Sequence, residues 1–319
     1  EHFNIKVIDF ELKEVMRQEH GSGILKNATQ IRNNIFGGLA ESNDINSDND
    51  ISYINTDKVL EISKEVFNPK SFSTFTVITH TRKLSQKYNF AIRDNLFPNE
   101  RLKFVEGERL MCANTNYKYG IFNGELLKVS KVFNGPEDRI EKLLKISPTF
   151  MERKYSSIPV QSDGKMHIWL CFQRLKLEYY DSLGKKENTE CFVLENSIDS
   201  SELTMDRAES RALLIDFLMR YKKTKDKYMT NRKKNYLSPY EEELAVKNGE
   251  ILDRSKDELY NALITKYGYA LTAHKAQGGE WENAIIDLDT SFFDNYSEEY
   301  ARWLYTSITR AKKHLYLVN

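Results

Sequence analysis

Two stretches in which strand and helix patterns alternate stand at the ends of this chain, and a stretch of strands and turns alone separates them. Residues 5–12 read as a short strand. Ile24, Leu25, Ala28 and Ile31 keep helical spacing, and Val59, Ile62 and Val66 do so over 57–67. FTVITHT at 75–81 is a β-branched run of buried-strand type, followed by a helix through Leu84, Tyr88 and Ile92. The same alternation returns from about residue 264. It gives a strand at 268–274, AIIDL at 284–288, a helix opened at Ser297 and running to Ala311, and a last strand HLYLV. Between them, ERLMCAN, IFNGELLKVSKV, KMHIWLCFQ, LKLEYYD and TECFVLEN are short strands parted by turn residues such as Asn123-Gly124 and Gly184. Alternation predicts a parallel sheet, and strands with turns predict an antiparallel, barrel-like block. The economical reading is one α/β domain in two segments, 1–105 and 263–319. Residues 106–262 form a β-rich insertion with a helical extension near 205–221, carried by Ala208, Ala212, Ile215 and Met219.

Charge narrows the function classes less than its total suggests. Lys+Arg and Asp+Glu each number 47 in 319 residues, which removes the argument from a strongly basic whole chain to a nucleic-acid binder. The sum conceals segregation. Residues 178–209 carry nine acidic and three basic side chains, whereas 219–236 carry eight Lys/Arg and one Asp. That basic run reads either as a solvated helix face or as a phosphate-contacting surface with interleaved tyrosines. Ser238-Pro239-x-Glu241 then opens a further helix with a capping box, stopped at Gly249.

No apolar run approaches the ~18 residues needed to cross a bilayer, so no membrane is expected. Three scattered cysteines without a C-x-x-C argue against a disulfide framework and for a reducing cytoplasm. The six histidines lack metal-ligand spacing, so no metal site is expected. The opening EHFNIKVIDF has no initiator methionine and no signal-peptide core, which predicts a piece of a longer protein.

The densest chemistry lies in LTAHKAQGGEWENAIIDL, 271–288. Here a strand ends at Thr272 and His274, Lys275, Gln277, Gly278, Gly279 and Glu280 crowd one loop. Paired glycines let a backbone approach a ligand closely, and their amides suit an anion. In RWLYTSITRAKKHLYLV, 302–318, a core-facing helix leaves Thr306, Thr309 and Arg310 near its end, where Arg310 could share a crevice with Glu280. Weaker signals are Arg17 and Gln18 after the first strand, and Thr79, Thr81 and Arg82 where strand 75–81 meets a helix N-terminus.

Together these residues resemble superfamily 1 helicases of the RecD/Dda-like group with a UvrD-type C-terminal domain. The chain carries that group's T-x-H-K-x-Q-G-x-E element at 272–280 and its Y-T-x-x-T-R-A element at 305–311. FELKEVMRQ is similar to the Arg-bearing motif that opens the second motor domain, VITHTR…YN…IR to its nucleic-acid motif, and ERLMCANTN…IFNGELLKV to the start of its inserted barrel. The likeness is close over 263–318 and partial over 9–32 and 75–132, and it leaves 136–255 without a counterpart.

The resemblance implies a RecA-like, P-loop-NTPase-type parallel sheet forming the second half of an ATP-dependent DNA helicase. It places Arg17 and Arg310 at arginine-finger positions facing the γ-phosphate. Gln277, Gly278, Gly279 and Glu280 fall beside the nucleotide, and Thr79, Arg82, Thr272, His274 and Lys275 beside single-strand phosphates. Partners implied are single-stranded or partly duplex DNA and the N-terminal motor domain of the same parent chain. That domain would hold most of the ATP and Mg²⁺. A monomer of bacterial or phage type, moving 5′ to 3′ in DNA repair or recombination, completes the expectation.

No G-x-x-x-x-G-K-[ST] occurs, and the nearest strings are Gly164-Lys165-Met166 and Gly184-Lys185-Lys186. No apolar strand ends in Asp-Glu; Val7-Ile8-Asp9 runs on into Phe10-Glu11. The chain alone is therefore expected to hydrolyse no ATP. Two further classes stay open, a non-catalytic nucleic-acid-binding module and a subunit of a nuclease or repair complex.

Overall fold

The computed structural model describes residues 21–37, 43–98, 100, 102–148, 158–181, 183–202, 204–288 and 297–319. The strand expected at 5–12, with Arg17, lies outside them. The chain divides into two compact units: Glu1–Val66, Ser73–Arg82 and Leu271–Asn319 in the first, Phe67–Phe72 and Lys83–Ala270 in the second. In chain order the elements are α1 (Gly23–Gly37), β1 (Ile51–Ile54), α2 (Thr56–Val66), β2 (Phe75–Thr79), α3 (Arg82–Leu96), β3 (Arg109–Cys112), β4 (Leu126–Val132) and β5 (Arg139–Ile146). Then come β6 (Met166–Tyr180), β7 (Lys186–Leu194), α4 (Asn196–Asp199), α5 (Arg207–Asn231) and α6 (Pro239–Lys247). The chain closes with β8 (Thr265–Tyr267), β9 (Ala270–Thr272), α7 (Ala273–Ala276), β10 (Trp281–Asp287), α8 (Glu298–Ile308) and β11 (Ala311–Val318).

The first unit is built on a five-stranded sheet of order β1-β11-β10-β2-β9, in which β1–β11, β11–β10 and β10–β2 are parallel. Strand β2, FTVIT, is buried at every position, and Ala284 to Asp287 of β10 are buried too. Near-continuous apolar runs of this kind belong to parallel strands covered on both faces. Helix α8 supplies part of that cover through Trp303, Leu304 and Ile308. It starts where Ser297 accepts a hydrogen bond from the Tyr300 amide at 3.2 Å, with Glu298 and Glu299 in the first turn facing the positive helix end.

The second unit is an antiparallel sheet of order β5-β6-β4-β3-β8, with β7 paired to β6. Strand β6 organises it. Met166 to Gln173 pair with β5, Leu175 to Glu178 pair with β4, and Phe172 to Tyr180 pair with β7. One strand that changes neighbours midway, beside a register shift between Val129 and Lys131, makes the sheet curl.

Three sequence expectations change here. KMHIWLCFQ and LKLEYYD are one strand, because the polar pair between them is accommodated inside. The Gln173 amide donates to the Phe133 carbonyl at 2.6 Å, and the Arg174 guanidinium lies 4.7 Å from the Phe192 ring centre. RIEKLLKI, absent from the expected strands, is β5, whose alternate side chains point to solvent. Helix α5 also continues ten residues past the expected 221, through lysine-rich sequence of good helix propensity.

Asn89 of α3 fixes the start of β9. Its Oδ1 accepts from the Tyr269 and Ala270 amides, each at 2.8 Å, and its Nδ2 donates to the Ala270 carbonyl at 2.8 Å. The side chain is buried, so these bonds replace water completely. One turn on, Arg93 Nε donates to Glu108 at 3.0 Å, and its other nitrogens donate to the Glu100 and Leu102 carbonyls. Burial pushes the Glu108 carboxyl up to about 7, with Arg93 pulling the other way. Replacing Asn89 by Ala strips three buried backbone groups of their partner, so a loss on the order of 3 kcal/mol is expected. It should be read as a lower urea midpoint with unchanged slope.

Candidate functional site

Helix α8 ends at Thr309, whose hydroxyl donates to the Tyr305 carbonyl at 2.8 Å, and β11 begins two residues later. That short junction folds Arg310 back over the last helical turn. Its Nε donates to the Thr306 carbonyl at 2.9 Å and its Nη2 to Thr309 Oγ1 at 3.0 Å. Its Nη1 reaches the Gly279 carbonyl at 3.2 Å. The backbone repeats the link, since the Trp281 amide donates to the Arg310 carbonyl at 3.0 Å and Trp281 pairs with Ala311. The two densest motifs of the sequence therefore meet at the amino ends of the neighbouring parallel strands β10 and β11.

The loop between α7 and β10 is shaped by its glycines. Gly278 has a φ of +83° with no atom within 4 Å of a built Cβ, so it needs the left-handed conformation and leaves open space beside the backbone. Gly279 needs the absence of a side chain, because a Cβ there would lie 2.3 Å from Cη2 of Trp281. The Gly279 amide donates to the Ala276 carbonyl at 3.0 Å, closing the single turn of α7. Glu280 is half-buried and pairs with Lys312 at 2.8 Å, and Glu282 pairs with Lys313 at 3.3 Å.

The remaining candidates lie elsewhere on the same unit. Thr79 closes β2 and is fully buried, and its hydroxyl donates to the Thr81 carbonyl at 3.0 Å. Its hydroxyl shapes the turn into α3 and is turned away from solvent. Arg82, exposed, opens α3. The His80 ring meets Trp303 edge-on, 6.1 Å between centroids. Because β2 and β10 are parallel, Thr79 and Arg82 stand at the sheet edge opposite Glu280 and Arg310, a strand length of roughly 20 Å away. Thr272 ends β9, beside β2, and leads into α7, where buried Ala273 and Ala276 anchor a turn that holds His274 exposed and Lys275 half-exposed. Gly279, Glu280 and Arg310 thus form one group, with Gln277 and Gly278 in the same loop. Arg17 lies outside the described residues.

Sequence reasoning missed Lys312, the partner of Glu280, and Trp281, against which Gly279 packs. Both stand inside the quoted motifs, but no periodicity singles them out. Among the described residues, no group of three or more His, Cys, Asp or Glu side chains is arranged to hold a metal ion, and no helix is long and apolar enough to cross a membrane.

Residues 267–318 match the family described as UvrD-like helicase C-terminal domain. The likeness to that family covers the closing segment of the chain. The matched stretch runs from the end of β8 to the end of β11 and holds Thr272, His274, Lys275, the 277–280 loop and Arg310. An uncharacterized protein of Methanocaldococcus jannaschii is 43% identical over 53 residues, covering 17% of this chain and 4% of that protein. Among solved structures, the chain aligns with Pif1 helicase from Bacteroides in complex with ADP-AlF3 and ssDNA. That alignment has a TM-score of 0.38 and 13% identity, and it covers 97% of this chain and 51% of the other. Pif1 helicase from Candida albicans aligns with a TM-score of 0.39 and 12% identity over 97% and 55%. The chain thus spans about half the length of these Pif1 chains.

The two glycines should respond differently to alanine. Gly279→Ala forces the Trp281 indole to move, and about 1 to 3 kcal/mol of overpacking should accompany a shift in tryptophan emission. Gly278→Ala should cost about 1 kcal/mol of backbone strain and leave the emission unchanged.

Proposed function

We propose that the chain is the C-terminal motor half of an ATP-dependent DNA helicase, its first unit the motor domain and its second an insertion. The observation that carries this reading is the fixed guanidinium of Arg310, tied through the Gly279 carbonyl to the loop that ends in Glu280. Positive charge placed before reaction, with little left to reorganise, is what a phosphoryl-transfer site requires of an arginine.

In this reading ATP and Mg²⁺ sit mainly on an N-terminal motor domain, and the metal and its P-loop supply the phosphate cradle. This chain closes over the nucleotide from the other side. The Gly278 backbone offers room for close approach, and Glu280, held by Lys312, offers a carboxylate acceptor for a ribose hydroxyl. Arg310, with Arg17, faces the γ-phosphate and offsets the charge that develops on it. At the other sheet edge Arg82, and on α7 His274 and Lys275 after Thr272, grip single-strand phosphates without reading bases. Thr79 acts by setting the turn that aims Arg82. The loop from Thr272 to Glu280 connects the two functions in nine residues. Movement of its nucleotide end is passed to its DNA end.

The test is Arg310→Lys in the full-length protein that contains this chain. DNA-stimulated ATP turnover should fall by about 10³-fold or more, since a lysine cannot span the same set of acceptors. Affinity for a dT20 oligonucleotide should stay within two-fold of wild type. Unchanged turnover would reject the finger role, and a wild-type protein without measurable turnover would favour a non-catalytic nucleic-acid-binding module.

A further inference from the structure

The basic run at 219–236 is sorted by the fold into two sets. Four of its eight cations are tied to carboxylates. Arg220 contacts Asp216 at 2.8 Å and Asp257 at 2.9 Å, Lys225 contacts Glu242 at 2.6 Å, Arg232 contacts Glu250 at 2.7 Å, and Lys234 pairs with Glu241. These pairs fasten the second half of α5 to α6 and the segment after it, around Leu237, Ala245 and Ile251. The opposite face of the helix is different. Met219, Lys222, Lys223, Asp226, Lys227 and Thr230 are all exposed, at spacings of three and four that place them on one stripe. Three lysines share it with one carboxylate.

Packing does not account for that stripe, and Asp226, at helical spacing from Lys222 and Lys223, balances only part of its charge. Its side chains are exposed and belong to no core cluster among the described residues. Lys222 and Lys223 stand more than two turns before the helix end at Asn231, beyond the last turn where a cation gains from the helix dipole. Lys223 and Lys227 are like charges four residues apart, a mild cost to the isolated helix that a polyanion laid between them would remove. The stripe has no aromatic side chain, since Tyr221 and Tyr228 turn toward α6. It therefore has nothing on which unpaired bases could stack.

We propose that this outward stripe of α5 is a phosphate track for double-stranded DNA, with Lys222, Lys223 and Lys227 as its contacts. The proposal rests on the reading of the chain as a DNA motor half. It adds a second contact surface, on a different unit and for a different form of the nucleic acid. Double-stranded DNA presents a charge every ~1.7 Å of its axis, so a rigid helix of lysines can lie along it without bases being exposed.

Binding of the 319-residue chain to a blunt 20-base-pair duplex and to dT20 is measured by fluorescence anisotropy from 50 to 300 mM NaCl, without nucleotide. For the variant Lys222→Gln/Lys223→Gln/Lys227→Gln, the slope of log K against log salt on the duplex should become shallower by about 2 to 3, at ~0.9 for each phosphate no longer neutralised. Duplex affinity at 100 mM should fall about ten-fold or more, and dT20 affinity should change less than two-fold. Circular dichroism should match wild type, because the three side chains are exposed. A duplex slope unchanged within 0.5, or an equal loss on dT20, would each overturn the proposal. Arg82→Gln/His274→Gln provides the separating arm. It should weaken dT20 binding and spare the duplex slope, and its failure would strike the motor reading while leaving the lysine result intact.

Discussion

Parallel pairing between distant parts of the chain is the constraint on which the rest of the first unit depends. Ile51 lies opposite Leu315, and Phe75 opposite Asn283, so neither end of the sequence can complete the sheet without the other. A parallel neighbour cannot be reached by a hairpin, and every such pairing needs a crossover. For β10 and β11 the crossover ends in α8. For β2 and β10 it takes in the whole strand-rich unit. Burial of β2 at every position shows how strongly the sheet holds this register, since a one-residue slip of such a strand would misplace each contact on both faces.

That register puts the site residues where they are. Adjacent parallel strands β10 and β11 start side by side, and the residues just before each start are thrown together: Gly279 and Glu280 before one, Arg310 before the other. Nothing more elaborate is needed to form the Arg310–Gly279 bond. The same geometry separates the residues at the far ends of the strands, so Arg82 belongs to another surface. Two groups of candidate residues on one sheet are kept apart by strand length and joined by the loop that starts at Thr272.

Much of this was legible in the residues. The apolar runs of β2, β10 and β11 and the stripes of α1, α3 and α8 report burial, and burial has a period that a sequence displays. Asn123-Gly124 and Gly184 reported turns because positive φ favours few residues. The strands that escaped notice, β5 and the middle of β6, carry charge or amide groups whose partners come from elsewhere in the unit. The depth at which the Thr79 hydroxyl sits was hidden for a related reason, since its acceptor is the carbonyl of Thr81, which no sequence pattern marks. The motif residues Gln277 to Glu280 and Arg310 could be named from their pattern. Their partners Lys312 and Trp281 could not, because partnership there depends on strand adjacency. The division of the basic run into paired and outward lysines likewise appears only once α6 lies against α5.

The three hydrogen bonds of Asn89 bear on how such an interrupted sheet can close at all. An unstructured excursion between Arg82 and Leu271 would oppose sheet closure with the entropy of a very long loop. A second unit in which Asn89 holds the outgoing helix to the returning strand presents the sheet with two ends side by side. The loop that must then be closed is effectively a few residues long. The saving is on the order of 2 to 3 kcal/mol at 25 °C, taking the logarithmic dependence of closure entropy on length. One buried asparagine thereby lets a large domain be spliced into a sheet at little thermodynamic expense, and insertions of quite different size could occupy the same junction.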